Sequence, residues 1–144
     1  MLKHIHPAIS PDLMAILMQM GHGDELVLAD ANFPADSNAQ RIVRADGIDL
    51  ETLLPAILKF LPIDTFVSEQ ALVMEPVDSQ SPEPIIWARF REALQAAEGR
   101  EVTLTKIERF KFYERTREAY AIVATGSRAF YSNLILKKGV VPPE

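Results

Sequence analysis

Met20-Gly21-His22-Gly23-Asp24-Glu25-Leu26-Val27-Leu28-Ala29-Asp30-Ala31-Asn32-Phe33-Pro34 sets a histidine between two glycines, then an unbroken apolar run, then a carboxylate and a turn. The run Leu26 to Ala29 reads as a buried strand. The glycines leave the backbone around His22 free to turn tightly and to approach a ligand. Asp30 falls at the strand's carboxyl end, where open α/β sheets place their ligand crevices. This turn and strand end would bring an imidazole and a carboxylate to one cleft, the smallest set for moving protons. On these residues alone a plainer reading stands beside it: His22 fills a helix-to-strand turn and Asp30 caps the next turn.

Outward from this stretch, helical and strand patterns alternate. Ser10-Pro11-Asp12 is a helix start, with a capping hydroxyl, a proline in the first turn and an acid at the positive end of the dipole. Leu13, Ile16, Leu17 and Met20 follow at helical spacing, and Gly21 is placed to stop that helix. Residues 32–38 read as a loop, residues 41–44 as a half-exposed strand and Ala45-Asp46-Gly47 as a turn. Asp49 opens a second helix that contains Pro55 and ends by Pro62. Residues 65–67 and 71–74 read as one or two strands. A third helix runs from Ile85 to about Glu98, with Gly99 as its stop and Trp87 and Phe90 packing it onto the sheet or onto a neighbouring subunit. Residues 102–107 form a strand, and Glu108 to Arg115 a strand end passing into a short helical turn. Strands at 120–124 and after Asn133 close the chain. Residues 1–144 are therefore expected to form a single layered α/β domain with a mostly parallel central sheet flanked by helices.

Composition narrows the chemistry. Residues Asp and Glu outnumber Lys and Arg by 20 to 15, a formal charge of -5, which argues against nucleic acid as a partner. The absence of cysteine removes disulfides, thiolate metal sites and a cysteine nucleophile. No apolar run approaches the length of a membrane span, and the first residues lack the apolar core of a signal peptide, so a cytoplasmic location is expected. Phosphate-loop, dinucleotide, zinc-protease and serine-elbow motifs are absent. What remains is dispersed: His22, Asp30, Arg109, Tyr131 and Asn133, each beside a strand or turn. Such a set would hold a polyhydroxylated ligand and pass protons without a cofactor. Each residue also has a structural alternative. Arg109 could pair with Glu108 or Glu114, Tyr131 could be a core aromatic and Asn133 could shape a turn. His4 and His6 form a His-x-His pair with no third ligand evident nearby. A metal-dependent sugar isomerase using one of them with His22 and Asp30 stays open at this point, as does a sugar-binding protein without catalysis.

Met20 to Glu25, Ala29 to Pro34, Ile42 to Gly47, Arg109 to Arg115 and Tyr131 to Val140 together resemble the fucose branch of the ribose pyranase and fucose mutarotase family. The resemblance spans nearly the whole chain. It implies an enzyme that interconverts the α and β anomers of a free monosaccharide, with L-fucose favoured and ribose-type pyranose-furanose exchange as the alternative, and with no cofactor or metal. It implies His22 as the acid/base residue, and Asp30, Arg109, Tyr131, Ser132 and Asn133 as sugar-binding. The arginine at Arg109 is what points to the fucose branch, and Ser132 departs from the usual glycine or alanine. The resemblance also implies a ring-shaped homo-oligomer, typically a decamer, in which the C-terminal segment helps complete a neighbour's site.

Overall fold

A computed structural model describes residues 1–144. Six strands form one sheet in the order β2-β5-β1-β6-β3-β4. They are β1 (Glu25–Ala29), β2 (Ile42–Ala45), β3 (Ala71–Met74), β4 (Leu104–Ile107), β5 (Ala121–Thr125) and β6 (Leu134–Lys137). The pairs β1–β5, β2–β5 and β3–β4 are parallel, whereas β6 runs antiparallel to both β1 and β3. All strands but β6 therefore point the same way, and the expected mostly parallel α/β sheet is what forms.

The unbroken apolar run of β1 follows from burial on both faces. Leu26 and Leu28 join a core with α1 (Pro11–Gln19), α3 (Leu50–Leu58) and α4 (Ile86–Glu98). Val27 and Ala29 face the opposite way, toward a smaller core with Ala35 of α2 (Ala35–Asn38) and Phe112 of α5 (Arg109–Glu118). Trp87 and Phe90, both 1% exposed, fix α4 to the larger core. No helix is long and apolar enough to cross a membrane.

Local signals explain most boundaries. The Ser10 hydroxyl accepts the Leu13 N–H at 3.1 Å and caps α1. Gly99 stops α4 in the left-handed conformation at φ 69°. Pro55 sits within α3 without breaking it, since the hydrogen bond it removes would run along the exposed side of the helix.

Three segments differ from expectation. Residues 32–38 include the short helix α2. Residues 65–67 form no strand; only Ile63 bridges Lys138, and the chain then bends as the Asp64 carboxylate takes the Phe66 N–H at 3.0 Å. The turn expected after β4 is instead a full helix, α5, because the Glu108 carboxylate caps it by accepting the Phe110 and Lys111 N–H groups.

Backbone packs against backbone where the chain leaves β6. A Cβ at Gly139 would stand 2.8 Å from the carbonyl carbon and oxygen of Ile63, whereas one at Gly21 would meet only an Asp24 carboxylate oxygen at 3.6 Å. Gly139→Ala should therefore destabilise by about 1–3 kcal/mol in chemical denaturation at fixed protein concentration, and Gly21→Ala by far less. Equal stability of the two variants would contradict the close approach at Gly139.

Candidate active site

The carboxyl ends of β1, β3 and β4 meet the start of β6 at one edge of the sheet. Asp30 follows β1, and Asn133 precedes β6. Their side chains clasp: Asn133 Nδ2 donates to Asp30 Oδ2 at 2.9 Å, and the Asp30 N–H donates to Asn133 Oδ1 at 2.9 Å. The other Asp30 oxygen accepts the Asn32 N–H. Asn133 is buried and committed to Asp30, so it orients that carboxylate. The pair opens into a cleft of about 260 Å³ walled by Phe33, Met74, Tyr113, Phe130 and Tyr131. Phe33 stacks on Tyr113 with ring centres 5.5 Å apart.

Tyr131 holds a left-handed backbone at φ 55°, which for a residue with a side chain costs of order 1 kcal/mol. Two bonds hold it there. The Trp87 indole donates to its carbonyl at 3.1 Å, and its phenol oxygen accepts the Val77 N–H at 3.1 Å. With that N–H aimed at its oxygen, the phenol is set to donate its own proton to a ligand. Arg109, with Glu75 and Val77, lines a second hollow, joined to the first through the Val77–Tyr131 bond. Arg109 forms no ion pair with Glu108 or Glu114; its guanidinium lies 4.7 Å over the Phe110 ring. Ser132 is wholly buried, and its side chain accepts from the Ser127 hydroxyl at 2.8 Å, so within one chain this residue presents no surface to a ligand.

His22 is elsewhere. It precedes β1, at the opposite edge of the sheet, where the Gly23 N–H bonds the Lys138 carbonyl beyond the end of β6. Gly23 has φ 87°, a conformation that favours glycine. The His22 ring packs near Phe66, 5.3 Å between centres, and its Nε2 lies 3.2 Å from Asp64 Oδ1. The Asp64 side chain is 2% exposed, while that of His22 is 47% exposed. Burial opposes ionisation of Asp64, but the Phe66 N–H, the His22 ring and Lys137 outweigh it and hold the carboxyl below its usual range. Beside this group, Glu25 binds Arg115 through both its oxygens, at 2.8 and 3.0 Å, and Lys137 lies 3.7 Å from it.

The structure thus brings Asp30, Tyr131 and Asn133 together, with Arg109 next to them, and leaves His22 apart. The single cleft expected from Gly21 to Pro34 does not form within one chain. β1 stands between its two halves, and five residues of strand span about 17 Å. His6 Nδ1 is occupied by the Ala8 N–H, and His4 and His6 do not join His22 or an acid in a cluster of metal-ligating side chains. Asp64 and Val77 escaped sequence reasoning because their partners lie 42 and 54 residues away, with no local motif to mark them.

Comparison with known proteins gives the same fold. The sequence matches the RbsD / FucU transport protein family over residues 3–141, and the chain belongs to that family. It is 47% identical over 142 residues to an L-fucose mutarotase of Histophilus somni (strain 2336) and 48% identical to one of Haemophilus influenzae (strain 86-028NP), covering 99% of both chains in each case. The crystal structure of a fucose mutarotase from Streptococcus pneumoniae in complex with L-fucose superposes with a TM-score of 0.92 at 48% identity, covering 98% of this chain and 100% of that one.

The clasp makes a direct prediction. Asn133→Ala leaves the Asp30 N–H and one carboxylate oxygen without partners and should cost about 1–3 kcal/mol of stability. It should also weaken sugar binding measured by calorimetry. Wild-type stability and affinity in this variant would show that Asp30 needs no such support.

Proposed function

We propose that this protein is a sugar mutarotase that interconverts the α and β anomers of a free monosaccharide, with L-fucose as its substrate. One observation carries the reading beyond the family likeness: the Asp30–Asn133 clasp opens into a small cleft with a polar end and an aromatic wall. A 6-deoxy sugar has hydroxyls for Asp30 and Arg109, and a methyl group and C–H edge for Phe33, Met74, Tyr113 and Phe130. The relatives named L-fucose mutarotase, and the neighbouring structure with L-fucose, support the same substrate.

The reaction needs two proton transfers. A base removes the proton of the anomeric hydroxyl while an acid protonates the ring oxygen, and the bond from the anomeric carbon to that oxygen breaks. The aldehyde rotates, and the ring closes on its other face with the transfers reversed. His22 is the principal proton-transfer group, since imidazole can give or take a proton near neutral pH. Asp30 and Arg109 hold hydroxyls, Arg109 through its forked donors. Tyr131 supplies a donor whose direction Val77 sets. Ser132, buried between Tyr131 and Asn133, supports that segment through its bond with the Ser127 hydroxyl.

Because His22 and Asp30 lie at opposite edges of the sheet, one site requires two copies of the chain. A ring-shaped homo-oligomer, and specifically a decamer, supplies that contact at every junction. Exposed Phe66, near His22, and Phe130, at the Asp30 cleft, are apolar surface suited to such a contact. A cytoplasmic protein acting on free sugar fits the chain's composition.

Saturation transfer between the two anomeric proton signals of L-fucose tests this function. Catalytic amounts of protein should speed the exchange, and His22→Gln should lower the rate by about 10²- to 10⁴-fold. L-Galactose, which carries a hydroxymethyl group where L-fucose has its methyl, should react with kcat/KM about 10- to 100-fold lower. Tight sugar binding without faster exchange would make this a binding protein and not an enzyme.

A further inference from the structure

We infer that Asp64 is a positioning residue for His22: it holds the imidazole with its proton on Nε2, so that Nδ1 is the atom that exchanges protons with the sugar. The inference rests on the reading of His22 as the proton-transfer group. Its basis is the 3.2 Å contact between a half-exposed ring and a carboxylate that is almost completely buried. A carboxylate in this state accepts and does not donate, so the ring nitrogen facing it carries the hydrogen. Nδ1 makes no hydrogen bond within the chain and keeps its lone pair.

The same Asp64 oxygen also takes the Phe66 N–H at 3.0 Å, and the Asp64 N–H donates to the Lys137 carbonyl at 3.0 Å. Asp64 is thus fixed by two backbone bonds before it meets the ring. Phe66 packs on the ring's flank and limits its rotation. The other charged groups of this edge are engaged elsewhere. Asp24 accepts the Gly21 N–H at 2.8 Å, Glu25 is held by Arg115 and Lys137, and Lys138 Nζ reaches the Gly139 carbonyl at 3.5 Å. Asp64 is the one carboxylate bonded to His22. The arrangement is that of a general base with its orienting acid, with the roles of the two ring nitrogens assigned by which one faces the protein.

The test uses the full-length protein with ¹⁵N-labelled histidine, and His22→Gln identifies the His22 signals. At about pH 8.5, where imidazole is neutral, wild-type His22 should show a hydrogen on Nε2 and a lone pair on Nδ1. In Asp64→Ala the two ¹⁵N shifts should move toward each other as both tautomers become populated. Asp64→Asn retains an oxygen for the Phe66 N–H and so protects the fold while removing the charge. It should lower kcat on the order of 10-fold with little change in KM, because the charge that faces the ring during proton transfer is gone. Unchanged ¹⁵N shifts in folded Asp64→Ala, or an unchanged kcat in folded Asp64→Asn, would overturn the inference. The nitrogen spectra need no sugar, so the tautomer assignment can fail while the mutarotase reading survives, and the reverse.

Discussion

The pairing of β6 between β1 and β3 is the constraint on which the rest depends. Without it the sheet is two separate parallel pieces, β2-β5-β1 and β3-β4. Because β6 runs against its neighbours, its start meets the carboxyl end of β1 and its end meets the turn that leads into β1. At its start, Asn133 clasps Asp30, and Tyr131 reaches Val77 and Trp87. At its end, Lys137 and Lys138 hold Asp64, Gly23 and Asp24 by backbone bonds and so set the position of His22. The hydrogen bonds around β6 thus place both His22 and Asp30.

This arrangement explains why the chain uses a strand buried on both faces where a looser element would serve a simple core. A rigid β1 fixes His22 and Asp30 at a constant separation and in opposite directions. On the proposed reading, the half-site at each edge is completed by the complementary edge of another copy. On that reading catalysis and assembly are one requirement, which exposed Phe66 and Phe130 near the two edges would serve. The two edges differ in character: a carboxylate, a guanidinium and a phenol lie at one, and an imidazole bonded to a buried acid at the other.

Much of the fold was legible in the sequence because its signals are local. Ser10-Pro11-Asp12 caps a helix within four residues, Gly99 ends another, and the run Leu26 to Ala29 declares double-sided burial. Two segments misled for physical reasons. Residues 65–67 have strand-like side chains, but Asp64 captures the Phe66 N–H and bends the chain. The charged stretch after Glu108 hid a ten-residue helix, whose few buried groups, Phe112 and Thr116, give little amphipathic pattern. The site was legible residue by residue, while its geometry was not. Gly21 to Pro34 suggests one cleft because its motifs are close in sequence, yet an extended strand between two motifs drives them apart. Asp64 left no trace, since its role depends on a contact across 42 residues.

The central claim is that each site takes His22 from one copy and Asp30 from another. The most direct measurement is fucose anomer exchange by a mixture of two inactive variants, His22→Gln and Asp30→Asn, unfolded together and refolded in equal amounts. Random assembly into closed rings gives a site with both native groups at half times half of the junctions, so activity should return to about a quarter of wild type. A mixture as inactive as its components, with oligomers intact, would contradict the shared site.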